Sequence, residues 1–293
     1  MAFLKRRTLL WGLGVGAALV LFYFSIYPSN DRDWSPDQIL LPQTTFDGRF
    51  AHIRNIRDIA YRSATDYAPA WFDAAYNLDK LDSLWFMVEP FGTWEGPAHT
   101  LLSFGFSGGE YVAISVEIRK EKGESYSPVK GLLKRYELMY VVGTEKDLIG
   151  LRAVHRKHDV YLYPIKAPKE KIERLFVSML KRANALAEHP EFYNTLTNTC
   201  TTNIVRHLNE VAERPVSPWR LSILLPGHSD KLAYDLGLID TNLPFEQAKQ
   251  KFNITERAGR FADSAKFSKR IRQDLPPDIG QAGKGGSLSR PEK

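Results

Sequence analysis

The N-terminal region contains an uninterrupted apolar run, and this run constrains the fold of the chain more than any other feature. The basic residues 5–7 are followed by residues 8–27, which carry no charge. As a helix, this run would extend about 30 Å, which is enough to cross a bilayer. The basic cluster before it predicts a cytoplasmic N-terminus and a body outside the cytoplasm. A cleaved signal peptide is the alternative, but the run is long for one and residues 26–28 lack the small side chains of a cleavage site.

Local composition divides the chain into four segments. Residues 1–28 form the predicted anchor, and residues 29–48 are polar and predict a tether. Residues 49–275 contain no repeat, low-complexity tract or second linker, which predicts one domain. Residues 276–293 are rich in glycine and almost free of apolar side chains, so a disordered tail is predicted there.

The predicted domain combines strand and helix patterns. A loop of Ser107, Gly108 and Gly109 separates two runs that alternate in polarity, which predicts a β-hairpin. The predicted elements are strands at 99–106, 111–118, 135–142 and 160–165, shorter helical pieces within 66–84, and a helix over 169–187. Because the strands precede the main helices, the fold class is α+β, an antiparallel sheet with packed helices.

Composition and charge exclude several classes of protein. A hydrophobic fraction of 43% can fill a core, which excludes a disordered chain. The net charge of +6 suits an anionic membrane surface or a cell-wall polymer as well as a nucleic acid. Because Lys and Arg are dispersed and the body is predicted outside the cytoplasm, no nucleic-acid partner is expected. Arginines such as Arg119 and Arg152 are more often solvated than functional, so none is predicted as a site.

The single cysteine, Cys200, is the candidate reactive group. It has no partner for an intrachain disulfide, and outside the cytoplasm a free thiol is a liability unless it is buried or used. It lies in the polar stretch 197–203 before a predicted helix that continues to about Ala212, with Asn198 or Thr199 as the N-cap. The N–H groups of a helix start favour a thiolate and can bind an oxyanion. We predict a nucleophile; the alternative is a buried structural cysteine.

A cysteine nucleophile requires a base, and a histidine on the hairpin is the best candidate. His207 lies about 10 Å along the predicted helix of the cysteine and cannot reach its sulfur. His155 and His158 lie in a charged loop, and such a pair without a third ligand is weak evidence for zinc. His99 opens a strand and can project from a rigid sheet. We predict His99 as the base, and we predict no metal and no cofactor.

The hairpin also supplies a carboxylate on the same face as His99. A three-residue loop at 107–109 places His99 opposite Glu117 and collects the large apolar side chains on the other face, whereas a two-residue loop would mix the two sets. A carboxylate near an imidazole holds its tautomer and supports the imidazolium. Glu117 is therefore predicted as the third member, with a surface ion pair to residues 119–120 as the alternative.

These residues resemble a known arrangement. A histidine on one strand, an acidic or polar residue on the next and a cysteine at a later helix start are similar to the circularly permuted papain-like group, which includes lecithin retinol acyltransferase-type enzymes and relatives of NlpC-type cell-wall peptidases. More closely, the chain resembles the Lnb N-terminal periplasmic domain family. The stretches that carry this resemblance are 52–61 (HIRNIRDIAY), 99–120 (HTLLSFGFSGGEYVAISVEIRK), 123–136 (GESYSPVKGLLKRY) and 190–203 (PEFYNTLTNTCTTN).

The resemblance implies a permuted papain-like core and thioester chemistry at the periplasmic face of a bacterial inner membrane. In that chemistry Cys200 attacks an acyl ester of a lipid, His99 takes its proton, Glu117 orients His99, and an amine accepts the acyl chain. The implied partner is a membrane lipid or a lipoprotein. Lnb-type proteins carry further membrane spans after this domain, whereas no stretch beyond residue 30 here is apolar enough for one.

Two alternatives stay open. The same Cys and His could act on a peptide bond as a peptidoglycan amidase or peptidase, because water or an amine can resolve an acyl-enzyme. The third possibility is an envelope protein without catalytic activity in which Cys200 is buried. A deep apolar cleft beside Cys200 would favour acyl chains, an open groove lined by charges would favour cell-wall peptides, and a wide separation of Cys200 and His99 would favour the non-catalytic protein.

Overall fold

The computed structural model describes residues 2–92 and 94–275, and only the backbone is described at residues 2–9 and 19. The predicted tail at 276–293 lies outside the described residues. The strands are β1 (Gln43–Asp47), β2 (Phe50–Arg57), β3 (Ala60–Tyr61), β4 (Tyr67–Ala68), β5 (Trp71–Asn77), β6 (Leu81–Pro90), β7 (Ala98–Phe106), β8 (Glu110–Arg119), β9 (Glu137–Gly143) and β10 (Tyr161–Pro164). The α-helices are α1 (Ala2–Ser25), α2 (Pro128–Leu132), α3 (Glu145–Gly150), α4 (Lys169–Glu188), α5 (Cys200–Val211), α6 (Leu221–Leu224), α7 (Ser229–Asp235), α8 (Phe245–Phe252), α9 (Thr255–Arg260) and α10 (Phe267–Ile271). A π-helical turn, Leu151–His155, follows α3.

An eight-stranded sheet forms the centre of the domain. Its order is β1-β2-β9-β8-β7-β6-β10, with β5 also paired to β2. The pairs are antiparallel except for the short contact of β2 with β9. The predicted α+β fold with an antiparallel sheet and packed helices is confirmed. A permuted papain-like core stays a prediction.

The β7–β8 hairpin has the predicted register. Phe106 pairs with Glu110 and Leu101 with Ser115, which leaves a three-residue loop. Gly108 and Gly109 in this loop have φ values of 107° and 85°, a region that side chains with a Cβ rarely adopt. The length of the loop and its two glycines therefore determine which side chains of the hairpin share a face.

Different helices cover the two faces of the hairpin. One face presents Phe104 and Phe106 to Phe176 of α4, with ring centroids 4.9 and 5.7 Å apart. The opposite face, which carries His99, Ser103 and Ser115, is covered by α3, the π-helical turn and the C-terminal helices. The sheet is thus buried on both sides, and polar groups on the His99 face lie in a protein interior.

The segment 66–84 was predicted to contain helical pieces, and this prediction is wrong for most of it. β4, β5 and the start of β6 occupy the segment, and only Leu78–Lys80 forms a short 3-10 turn. β5 pairs with β2 from Phe50↔Asn77 to Arg57↔Trp71. Pairing with a strand distant in sequence determines this conformation, and local propensity does not reveal it.

The N-terminal part of the chain contacts the domain before residue 49. α1 spans Ala2–Ser25, and no helix in the described part of the chain is long and apolar enough to cross a membrane. The predicted anchor stays a prediction. Within the predicted tether, β1 joins the sheet, and Trp34 and Gln38 are buried, with Gln38 bonded to the backbone of Ile118 and Lys120. The folded unit therefore begins earlier than its composition indicates.

Candidate active site

Helix α5 begins at the candidate nucleophile. Thr199 is its N-cap: the Thr199 hydroxyl accepts from the Thr202 N–H at 3.2 Å, and the Thr202 hydroxyl accepts from the Thr199 N–H at 2.7 Å. This reciprocal pair satisfies two backbone donors at the helix start. Cys200 is the first residue of the helix and is 7% exposed. The predicted helix start and N-cap are confirmed.

The Cys200 thiol lies where α5 meets the start of β7. The neighbouring hydroxyls of Thr201 and Thr100 are 3.0 Å apart and join the helix to the strand. Burial raises the pKa of the Cys200 thiol, but hydrogen-bonding and charge interactions with His99, together with the Thr100 backbone and side chain, outweigh burial and lower the pKa to about 6. The structure therefore brings Cys200 and His99 together, and it holds a thiol that ionises below neutral pH.

The His99 imidazole is held by Ser115 on the adjacent strand. His99 Nε2 lies 2.7 Å from Ser115 Oγ, and Ser115 Oγ donates to Glu117 Oε1 at 2.8 Å. Glu117 is predicted to lie opposite His99 and to orient it; it shares the predicted face, and Ser115 stands between the two side chains. Ser115 and Glu117 are two positions apart on β8, so their side chains share a face. The Ser115 hydroxyl contacts the imidazole ring, and the Glu117 carboxylate contacts the Ser115 hydroxyl.

Glu117 is kept in its ionised form. Burial raises the pKa of its carboxyl, but the charges of Arg152, Arg57 and His99 and the hydrogen bond from Ser115 bring it well below its usual range. Arg152 Nη2 donates to Glu117 Oε1 at 3.0 Å. The site therefore contains a permanent negative charge one hydroxyl away from the imidazole.

Arg152 also joins Glu117 to a second buried carboxylate. Arg152 Nε lies 2.7 Å from Glu89 Oε2, and the side chains of Arg152 and Glu89 are 3% and 1% exposed. Glu89 is the register partner of His99 on β6, and its other oxygen lies 2.7 Å from His158 Nδ1. The expectation that Arg152 is solvated is wrong, because the π-helical turn places it beneath the sheet.

Sequence reasoning missed the roles of Ser115, Arg152 and Glu89. The alternation of β8 places Ser115 on the His99 face, and this signal was available. Nothing in the sequence links Arg152 or Glu89 to the hairpin, because both come from distant elements.

Two tyrosines flank the cysteine on its other side. Burial raises the pKa of the Tyr193 hydroxyl, and the charge of Cys200 raises it further. Tyr126 hydrogen-bonds with Tyr193, and its own pKa is raised for the same reasons, while its side chain is 43% exposed. Tyr126 is therefore the exposed member of a hydrogen-bonded tyrosine pair near Cys200.

The other histidines that were discounted lie in different surroundings. His207 Nε2 lies 2.7 Å from the Tyr140 hydroxyl, and its Nδ1 lies 2.7 Å from Ser178 Oγ, so His207 does not act on Cys200. His155 packs against Tyr61. Among the described residues, no cluster of three or more His, Cys, Asp or Glu side chains could hold a metal ion.

A large apolar cavity lies next to α5 on the α4 face of the sheet, and its lining includes neither Cys200 nor His99. Its volume is about 650 Å³, and it lies between the sheet, α4, α5 and α7. Its apolar lining includes Leu84, Phe86, Leu102, Ile204, Val205 and Leu208. Thr201, the neighbour of Cys200, also lines it, and charged side chains such as Lys171 and Glu213 contribute to its wall. The volume is in the range of about 300–1,000 Å³ that ligand sites occupy.

Comparisons with known proteins identify the family. The family model of the Lnb N-terminal periplasmic domain matches residues 67–226, more than half of the chain, and this range contains the cysteine, the histidine and the residues between them. Comparison with curated proteins and with solved structures gives no match. The family description indicates an envelope-associated protein with a periplasmic location. The chain belongs to the Lnb N-terminal periplasmic domain family.

Proposed function

We propose that this protein is a cysteine-dependent acyltransferase that takes an acyl chain from a membrane lipid ester and passes it to an amine, with a lipoprotein N-terminus as the acceptor class. The observation that carries the proposal is an apolar cavity lined by Thr201, the residue that follows a cysteine of lowered pKa. Most of the cavity lining is apolar, which suits an acyl chain better than a cell-wall peptide.

The reaction follows from the pairing of Cys200 and His99. The Cys200 thiolate attacks the ester carbonyl carbon, a C–S bond forms, and the bond from this carbon to the alcohol oxygen breaks. His99 takes the thiol proton and gives it to the departing alcohol. An amine then attacks the thioester, a C–N bond forms and the C–S bond breaks; His99 takes the proton that the amine loses and gives it to the departing sulfur, which returns the thiol. The backbone N–H groups at the start of α5 can stabilise the oxyanion of each tetrahedral intermediate.

The acyl chain of the substrate would occupy the cavity. Thr201 lines the cavity and is the residue after the nucleophile, so an ester at Cys200 could extend its chain past Thr201 along α5. Burying a chain in an apolar site contributes about 0.8 kcal/mol per methylene group. Such a site favours an acyl donor over a polar peptide.

A membrane location would suit this substrate. α1 would serve as the single N-terminal anchor, with residues 5–7 in the cytoplasm and the domain in the periplasm. The Tyr23 hydroxyl donates to the Leu132 carbonyl, and Lys134 Nζ donates to the Tyr23 carbonyl, so the end of α1 contacts the domain near α2. This contact would keep the domain close to the lipid surface.

The test is the intact mass of the full chain after incubation with phospholipid vesicles and no amine acceptor. We expect the mass of one acyl group to be added to the native protein and retained on Cys200, and no addition to the Cys200→Ala variant. Neutral hydroxylamine should remove the adduct, because it cleaves thioesters.

A parallel incubation with a muropeptide identifies the alternative substrate. An adduct or cleavage with the muropeptide alone would replace the acyltransferase by a peptidoglycan amidase. If the folded protein gains no adduct from either substrate and cleaves neither of them, the acyltransferase proposal fails. The non-catalytic envelope protein is then favoured.

A further inference from the structure

A chain of buried polar groups leads from His99 along one face of the sheet to Arg152. Ser115 Oγ lies 2.7 Å from His99 Nε2 and 2.8 Å from Glu117 Oε1. Ser115 is fully buried, and Glu117 is 15% exposed at its side chain. Water therefore has little access to these contacts, and the protein groups must satisfy one another.

The proton positions in this chain follow from its hydrogen-bonding inventory. A carboxylate is only an acceptor and a hydroxyl has one proton, so the bond to Glu117 uses the proton of Ser115. Ser115 Oγ can then only accept from the imidazole, which places a proton on His99 Nε2. His99 Nδ1 is left as the nitrogen that can accept the proton of the Cys200 thiol.

Glu117 is held by a second chain of charges. Arg152 bridges Glu117 and Glu89 with contacts of 3.0 and 2.7 Å, and its side chain is 3% exposed. Arg156 Nη1 also lies 3.8 Å from Glu89 Oε1, so two arginines face the two carboxylates, and Glu117 is the carboxylate that a single hydroxyl joins to the imidazole. An imidazolium formed at His99 would therefore find a stabilising charge through Ser115.

We propose that Ser115 is the positioning residue of this site: it fixes the His99 tautomer and transmits the charge of Glu117, held by Arg152 and Glu89, to the imidazole. The proposal deepens the proposed function, because it assigns a role within the same Cys200–His99 pair. Its test requires no acyl substrate, so its failure can be distinguished from that of the acyltransferase. The charged or titratable groups around the pair are Arg57, Glu89, Glu117, Tyr126, Arg152, Arg156 and Tyr193.

The experiment measures the ionisation of Cys200 directly. The rate of alkylation by iodoacetamide is followed by intact mass from pH 5 to about 10, because the thiolate is the reactive form. In the native protein the rate should reach half its maximum near pH 6. In Ser115→Ala we expect this midpoint to move toward the ordinary thiol value of 9, and the rate at pH 6.5 to fall about tenfold. His99→Ala provides the largest shift for reference.

Ser103→Ala is the matched control. Ser103 is fully buried on the same face of the same hairpin, and its hydroxyl donates to the buried Glu145 at 2.5 Å. Loss of the Ser103 hydroxyl removes a buried serine–glutamate hydrogen bond like that of Ser115, but it leaves the contacts of the imidazole intact. We expect Ser103→Ala to lower the free energy of unfolding but to leave the alkylation midpoint unchanged.

A second variant makes the test independent of the folding of Ser115→Ala. Glu117→Gln keeps an acceptor for the Ser115 hydroxyl but removes the charge, and we expect an upward shift of the midpoint that is smaller than in His99→Ala. A native midpoint in folded Ser115→Ala, or a native midpoint in Glu117→Gln, would overturn the proposal. An equal shift in Ser103→Ala would also overturn it, because a general loosening of the sheet would then explain the effect.

Discussion

Two histidines of this protein make similar contacts and have different chemistry. Ser178 Oγ lies 2.7 Å from His207 Nδ1 and donates to Glu210 Oε2 at 2.5 Å, which repeats the order of histidine, serine and glutamate found at His99. The second nitrogen of His207 faces the hydroxyl of Tyr140, whereas the neighbour of His99 is the thiol of Cys200. Both histidines have a serine and a glutamate beside one ring nitrogen. The group beside the other nitrogen, a tyrosine for His207 and a thiol for His99, distinguishes a packing histidine from a candidate base.

His207 predicts a dependence of stability on pH. Burial, together with the charges of Arg182 and Arg206, outweighs the opposing charge of Glu210 and lowers the pKa of His207 from 6.5 to about 4. Between these values the unfolded chain binds more protons than the folded one, so the free energy of unfolding falls as the pH falls from 6.5 to 4. The loss should approach about 3 kcal/mol, measured by urea unfolding at several pH values.

The contribution of His207 is isolated by comparing variants. In His207→Gln we expect a weaker fall of stability over this pH range than in the native protein. His52→Gln is the control, because His52 is exposed on β2 and should leave the native pH dependence unchanged. Equal pH dependence in native protein and His207→Gln would contradict the assignment.

At the scale of elements, helix α5 contributes both the candidate nucleophile and part of the cavity wall. Its first turn holds Cys200 against β7, and its later residues, including Ile204 and Leu208, line the apolar cavity. The helix is therefore the element that would align an acyl chain with the nucleophile. This arrangement predicts that acyl transfer and thiol reactivity can be separated by mutation.

Leu208→Trp tests the cavity as the acyl site. A larger side chain at this partly buried position should fill the cavity and reduce the rate of acyl-adduct formation by about tenfold, which corresponds to about 1.4 kcal/mol. Iodoacetamide alkylation of Cys200 should keep its native rate, since the small reagent does not require the cavity. Arg206→Trp, on the exposed side of the same helix, is the control. Native acyl-adduct rates in Leu208→Trp would contradict this role of the cavity.

At the scale of the whole molecule, a buried ion pair ties the C-terminal helices to the sheet. Arg272, next to α10, contacts Glu145 of α3 at 2.5 Å, and their side chains are 6% and 0% exposed. Glu145 also accepts from Ser103 of β7, and the Arg272 guanidinium lies 4.5 Å from the Trp85 ring. One cluster thus connects the hairpin of the site to the last described helix.

Arg272→Met should destabilise the protein strongly. It leaves the buried carboxylate of Glu145 without its charged partner, which typically costs about 3–5 kcal/mol in the free energy of unfolding. Denaturant unfolding measures this loss, and Arg270→Met, at an exposed neighbouring position, should change stability by about 0.5 kcal/mol or less. Adding Glu145→Gln to Arg272→Met should recover part of the loss. A change in Arg272→Met as small as in Arg270→Met would show that the cluster does not stabilise the domain.

Local patterns were sufficient to predict several features of this protein. The alternation of apolar residues on β8 and the glycines of the loop predict the hairpin register, because only one register collects the apolar side chains on one face. The hydroxyl residues before α5 predict its start, because the first N–H groups of a helix require an acceptor. These two elements were enough to bring Cys200 and His99 together as candidates.

Tertiary structure alone decided the remainder. The conformation of 66–84 depends on pairing with β2, the burial of Arg152 depends on a π-helical turn beneath the sheet, and the cavity depends on how α4, α5 and α7 pack. Ser115 displaced Glu117 as the neighbour of His99 because side-chain length and approach angle, which a sequence does not contain, determine which group reaches a ring first. Periodicity determines the face on which a residue lies, whereas contacts between elements distant in sequence determine what it touches.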